Sequence, residues 1–304
     1  MNEIELQNLI DHIMKYARPL EKARINYLFF DGSKEKVIEE LEKYQNEDGG
    51  FGHGLEPDLV NPNSSPIQTW FAITILRTLD LKRNHPMIKK ILEYLLHSFD
   101  GMYMSWMLLD ESNDLYPHAP WWSYKDEEPT NNPSASLAGF IVRYADPLSE
   151  IYKCAYYVVD YVVKRLKYED EVLEVHELRC VLDMANDLLN SHHRDLITDR
   201  VKQNLLHQID TVFEKDSSLW FKSYAAKPSS LINAHPSIGS DEFKDLMFQE
   251  FEIALKSRNE DGVWPITWEW TDYKEAFEKA KKDWIGIIGT DYLKLMLQYQ
   301  FIKK

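Results

Sequence analysis

QNEDGGFGHG (residues 45–54) returns near the far end of the chain as RNEDGVWP (residues 258–265). Both contain Asn-Glu-Asp-Gly with an aromatic residue two positions after the first glycine. Asp-Gly supplies a tight turn, because the aspartate side chain bonds to the backbone just beyond it and glycine tolerates a positive φ. The aromatic that follows then pins the turn onto the preceding helix pair. Looser copies occur as FDGMYMSW (99–106) and EKDSSLWF (214–221), so Asp48, Asp100, Asp216 and Asp261 occupy related positions. One further unit, turning near Tyr168 to Glu171, fits into the longest gap. A mean spacing of about 50 residues suits a repeat built from helix pairs.

The segments before these turns read as one-faced helices. Leu6, Leu9, Ile10, Ile13 and Met14 fall at three- and four-residue spacing and draw one apolar stripe. Met87, Ile88, Ile91, Leu92 and Leu95 repeat the pattern, as do Val201, Leu205 and Ile209, and then Phe243, Leu246, Met247 and Phe251. A second type follows the turns. IQTWFAITILRTL (67–79) and IGIIGTDYLKLML (285–297) are apolar on nearly every face, and such helices are buried on all sides. Their alternation predicts two concentric layers: an all-α, single-domain α/α toroid of five or six helix pairs over residues 1–304. The repeats fall at 33–80, 86–145, 147–190, 195–240 and 242–300, and residues 1–30 either complete a sixth pair or lie outside it. Ser65-Pro66, Asn132-Pro133 and Asp146-Pro147 read as helix starts, each with a capping side chain before a proline. No long stretch alternates with the period of a sheet.

Composition narrows the function classes. Fifty acidic against thirty-five basic residues leave a formal charge of −15, which repels phosphate backbones and disfavours nucleic acid as a partner. Cys154 and Cys180 are too few for a disulfide framework and lack metal-ligand spacing. No metal site is expected and no cofactor is named. The N-terminus lacks a basic stretch followed by an apolar run, and no segment approaches the roughly 20 apolar residues of a membrane span. A cytoplasmic address is the expectation. Nucleotide-binding glycine loops, Gly-x-Ser-x-Gly and His-Glu-x-x-His are all missing from the sequence.

QNEDGGFG and RNEDGVWP resemble the Gln-x-x-Asp-Gly-aromatic repeats of the terpenoid cyclase and protein prenyltransferase β-subunit superfamily. The resemblance implies an α/α toroid whose inner helices line a central cavity, and it points to an isoprenoid-like ligand. The Asp-x-Asp-Asp cluster of the protonating cyclases does not occur here. The Asp-x-Cys pair of the zinc-dependent prenyltransferases is also missing, since Tyr152-Lys153 precede Cys154 and Leu178-Arg179 precede Cys180. The resemblance therefore carries the fold and no catalytic residue.

In such a toroid every outer-to-inner connection opens on one end, and several of these connections are long enough to carry function. The first holds His53, Glu56 and Asp58, an imidazole and two carboxylates within six residues that suit acid–base chemistry. The second holds His118, Trp121, Trp122 and Tyr124, whose aromatic faces suit a sugar ring or a flat ligand. The last holds Trp268, Glu269, Trp270 and Asp283, with Trp284 opening the final helix. In an extended segment Trp268 and Trp270 face one way and Glu269 the other. His235 is expected at this end too, near an inner-helix start. The content of the mouth points to a carbohydrate, with Glu56 or Asp58 facing Glu269 or Asp283 as a glycosidase-like or lyase-like acid pair. A non-catalytic binding or scaffold module is the third reading. His192-His193 falls on the opposite end.

Overall fold

The computed structural model describes residues 3–169 and 171–304. Met1, Asn2 and Asp170 lie outside the described residues, so the turn expected at Tyr168 to Glu171 is described only on either side of Asp170. The architecture is all-α. In chain order the helices are α1 (Glu3–Tyr16), α2 (Pro19–Phe29), α3 (Lys34–Glu42), α4 (Pro66–Leu76), α5 (Pro86–His97) and α6 (Ser134–Tyr144). They continue as α7 (Glu150–Tyr168), α8 (Val175–Leu189), α9 (Asp199–Val212), α10 (Pro228–Leu231), α11 (Lys244–Lys256) and α12 (Lys274–Gln298). Among the described residues the only strands are the two-residue β1 (Phe99–Asp100) and β2 (Ser105–Trp106), which place Phe99 opposite Trp106.

Helices of two kinds alternate. On α5 the buried residues Met87, Ile88, Ile91, Tyr94 and Leu95 form one stripe, whereas α6 buries ten of its eleven residues. Helix α4 packs on α6, α6 on α8 and α8 on α10, while α5 packs on α7 and α7 on α9. The ends of the chain meet: α12 packs on both α1 and α2, and α2 also packs on α3.

The two sharp turns adopt one geometry. Asn46 N–H donates to Gly50 O and Gly49 N–H to Asn46 O; at the other turn Asn259 N–H donates to Val263 O and Gly262 N–H to Asn259 O. Gly49 has φ +92° and Gly262 φ +77°, a conformation open to glycine at little cost. The repeated aromatics are buried and do more than pack. Trp106 Nε1 donates to Leu95 O on α5 and Trp264 Nε1 to Ala254 O on α11, both at 2.8 Å. Trp220 Nε1 donates to Glu214 O, just past α9, at 2.7 Å. The last carbonyls of a helix have no partner inside it, so on α5 the indole both fills a pocket and satisfies an orphan carbonyl, while on α11 Ala254 O also accepts from Ser257 N–H.

Several local expectations are corrected. The final helix begins at Lys274, ten residues before Trp284, because KEAFEKAKKD is rich in strong helix formers. Asp283 is therefore helical rather than a loop residue, and Trp284 lies inside the helix rather than opening it. Helix α10 has only four residues, so the 195–240 unit lacks a full inner helix. Ser65 caps α4 as read, its Oγ accepting from Gln68 N–H. Helix α7 is capped by Ser149, while Asp146 Oδ1 closes a turn on Leu148 N–H before it. Asn132 does not cap α6; its Oδ1 accepts from the Cys180 thiol at 3.5 Å.

Candidate functional site

The connections leading into α4, α6, α10 and α12 converge on Asp58. Its backbone O accepts from Ala119 N–H at 2.9 Å, and Leu59 bridges His118 in antiparallel fashion. The side chain is 2% exposed as a residue and accepts from three indoles. Trp268 Nε1 donates to Oδ2 at 2.9 Å, and Trp270 and Trp284 donate to Oδ1 at 3.2 and 2.9 Å. No ion pair to Asp58 is formed among the described residues, so neutral donors alone stabilise its charge. Burial pushes its carboxyl up to about 6 against these three donors. Glu56 lies beside it, with Oε1 accepting from Trp122 Nε1 at 3.3 Å and a buried Oε2 that has no partner among the described residues. Burial, reinforced by the charge of Asp58, raises the Glu56 carboxyl well above the usual range. The pair thus sets a carboxyl whose proton affinity is raised well above the usual range beside one raised to about 6.

An aromatic cluster surrounds the pair. Trp268 meets Trp284 edge to face at 5.4 Å, Trp284 meets Phe71 of α4 at 6.1 Å, and Tyr224 stands edge to face on Trp268 at 5.9 Å. His176, at the start of α8, stacks on Tyr224 and lies 3.0 Å from its hydroxyl. Tyr224 is 68% exposed, yet loss of solvent raises its phenol, with the charge of Glu56 adding to the effect.

The other residues singled out from the sequence divide. His53 is exposed and bonds Asn46 Oδ1 within its own loop at 2.8 Å, so it does not join Glu56 and Asp58. Trp121 is 45% exposed and separated from Trp122, which packs inward. Tyr124 is half-buried, its N–H on Asp114 Oδ1. His118 is fixed by Tyr116 O at 2.7 Å and Ser123 Oγ at 3.1 Å, its ring against Tyr273. Trp268 and Trp270 both turn to Asp58 while Glu269 between them is exposed, so Glu269 is not the second acid. Asp283 is half-buried; burial raises its carboxyl against Arg18 and Lys279. The acids brought together are Glu56 and Asp58. His235 is at the opposite end, stacked on Tyr299 at 4.6 Å with its N–H on Gln298 Oε1, just past and at the C-terminus of α12. The brevity of α10 lets the chain run on to that end before His235. His193 meets Tyr152 and Tyr156 on α7.

A second group of polar residues lies on α2, α4, α6, α8 and α12, of which α4 and α12 read as apolar on nearly every face. Arg77, closing α4, donates to Asp187 Oδ2 at 2.7 Å and to Asp183 Oδ2 at 3.3 Å, both on α8. Arg143 of α6 adds a bond to Asp187 Oδ1 at 3.1 Å. Arg24 of α2 binds Asp291 of α12 at 2.5 Å. Lys294, one turn on, donates to Asn233 O at 3.0 Å, and Asn233 Nδ2 donates to Asp183 Oδ1 at 3.2 Å. Asp291 is surrounded by protein, so desolvation opposes its ionisation, but Arg24 and Lys294 outweigh this and hold its carboxyl low. Even so, 46% of its side chain is accessible. Desolvation lowers the Lys294 amine to about 8 in spite of Asp291. These residues were missed because hydrophobic periodicity weighs whole faces. The available signal was a charge inside an all-round apolar helix, which must be paired or used.

Among the described residues no group of three or more His, Cys, Asp and Glu side chains is arranged to hold a metal ion, and no helix is long and apolar enough to cross a membrane. No protein-family model, curated protein or solved structure matches this chain.

Proposed function

We propose that the chain is an α/α toroid that binds a small carbohydrate-like ligand in a central space, entered from the end where Asp58 gathers the connections. The observation that carries this reading is Asp291 of α12: it is ion-paired to Arg24, yet 46% of its side chain is accessible. In this reading that carboxylate, among the ion-paired residues of α2, α8 and α12, lines an internal opening. The charged residues of α8 and α12 form its polar wall, and Trp284, Trp268 and Tyr224 stand above it. Hydroxyl-rich rings need such a combination, with aromatic faces for the ring and a few placed polar groups for the hydroxyls. An isoprenoid chain, the ligand class implied by the superfamily resemblance, would desolvate those charges without bonding to them. That weighs against it.

Titration of intrinsic tryptophan fluorescence tests the reading directly. Neutral or acidic oligosaccharides are expected to give saturable changes that weaken in Trp284→Ala and Trp268→Ala. A response to isoprenyl diphosphates and none to sugars would replace the ligand class. No response to either would leave a scaffold without a small-molecule site.

Cleavage of a glycosidic bond is a second reading, favoured by the unpartnered Oε2 of Glu56. Two carboxyls whose environments push their proton affinities apart are how such enzymes assign acid and base. In this reading Glu56 is the acid, its proton affinity raised by burial and by the charge of Asp58. Glu56→Gln should then retain sugar binding and lose turnover; unchanged turnover would remove Glu56 from the chemistry.

A further inference from the structure

The charge balance of the central residues says more about the ligand than their polarity does. The set joined by ion pairs and hydrogen bonds holds five cations, Arg24, Arg77, Arg143, Arg179 and Lys294, against three carboxylates, Asp183, Asp187 and Asp291. Glu21, 3.8 Å from Arg24, is already held by Arg18 at 2.8 Å. Within this set, in a chain of formal charge −15, two more cations than carboxylates are joined, and Lys294 has no ion-pair partner within 4 Å among the described residues. Poorly solvated charges are tolerated when paired, so a cation of this set without a bonded carboxylate is suited to receive a counter-charge from outside the protein.

Two groups have donors to spare. Arg179 Nη1 donates to Ser230 O at 3.0 Å and its buried Nε faces Asp183 Oδ1 at 3.6 Å, so Nη2 is the donor left over among the described residues. Lys294 Nζ has three hydrogens and one hydrogen-bond partner among the described residues, Asn233 O at 3.0 Å. The segment 230–233 grips both side chains, so it sets them side by side. Asp291, one turn before Lys294, is the accessible residue that marks the open space next to them.

We infer that Lys294 and Arg179 form an oxyanion-binding subsite, and that the ligand is an acidic sugar whose carboxylate they receive. The inference rests on the proposed carbohydrate reading and adds the charge that a neutral sugar lacks. Each cation offers a charge-assisted hydrogen bond to the incoming carboxylate, and the pair is held ready by backbone carbonyls, so little side-chain freedom is lost on binding.

Calorimetric titration of the full chain with glucuronate, glucose and inorganic pyrophosphate tests it, with Lys294→Met, Lys294→Arg and Arg179→Gln as variants. Glucuronate is expected to bind at least tenfold more tightly than glucose. Lys294→Met and Arg179→Gln should each weaken it about tenfold or more, and Lys294→Arg should restore most of the affinity. Circular dichroism spectra matching the wild type show that the variants fold, and rescue by arginine separates charge from packing. Equal binding of glucose and glucuronate with silent variants would overturn the subsite and leave the carbohydrate reading standing. Pyrophosphate binding that depends on Lys294, without sugar binding, would keep the oxyanion subsite and overturn the sugar. No binding of any probe would overturn both.

Discussion

Asp58 and Trp284 stand 226 positions apart in the chain and are joined by an indole N–H to carboxylate hydrogen bond of 2.9 Å. With Trp268 and Trp270 this bond ties the first connection to the last connection and to α12. Trp284→Phe keeps most of the ring and deletes the donor. We expect a loss of about 1.5–3 kcal/mol in urea unfolding, the usual range for a bond to a charged group. A loss below about 0.5 kcal/mol would mean that the other two indoles suffice.

The pH dependence of stability reports Asp58 itself. Its carboxyl is raised from 3.8 to about 6, so the folded state holds the proton more tightly than the unfolded chain does. The sign follows: ionising Asp58 destabilises the fold, and its contribution improves as pH falls through 6 toward 3.8, by roughly 3 kcal/mol at most. Glu56, also raised, works in the same direction. Asp58→Asn removes the Asp58 titration. Thermal unfolding of both proteins between pH 7 and pH 5 should show wild type gaining on the variant as the pH drops; a constant gap would contradict the assignment.

The two Asn-Glu-Asp-Gly turns share a backbone and differ in surroundings. A Cβ on Gly49 would lie 2.2 Å from Lys90 O, whereas one on Gly262 meets nothing within 4 Å. Gly262→Ala is expected to cost about 1 kcal/mol from its positive φ alone. Gly49→Ala should cost clearly more, on the order of 3 kcal/mol or above, because α5 must move. Equal losses in chemical denaturation would mean that Lys90 is not held against the turn.

Arg77 connects α4 to Asp183 and Asp187 on α8 and to Ser136 on α6. Arg77→Met fills a similar volume but removes the cation shared by Asp183 and Asp187, leaving them Arg179 at 3.6 Å and Arg143 at 3.1 Å. Breaking a buried pair from one side costs about 3–5 kcal/mol, and unfolding in urea should register a loss of that size. A variant as stable as wild type would place these carboxylates in contact with bulk water.

The helical character, the two kinds of helix and the repeated turn were legible in the sequence because they are local. Hydrophobic spacing declares a face within a few turns, and Asp-Gly followed by an aromatic declares a tight turn within four residues. Glu56, Asp58, Trp122, Trp268 and Trp270 were also singled out, since such residues in long connections have few structural uses. Which groups they meet was not written locally. Tertiary packing decided that three indoles share one carboxylate, that Trp121 and Trp122 part, and that four residues of α10 send His235 to the far end. It also decided that Lys294, on a helix whose spacing reads as apolar, and Arg179 of α8 bond the same segment, 230–233. Electrostatic pairing depends on distance in space and on the exclusion of water, and neither exists until the helices have packed.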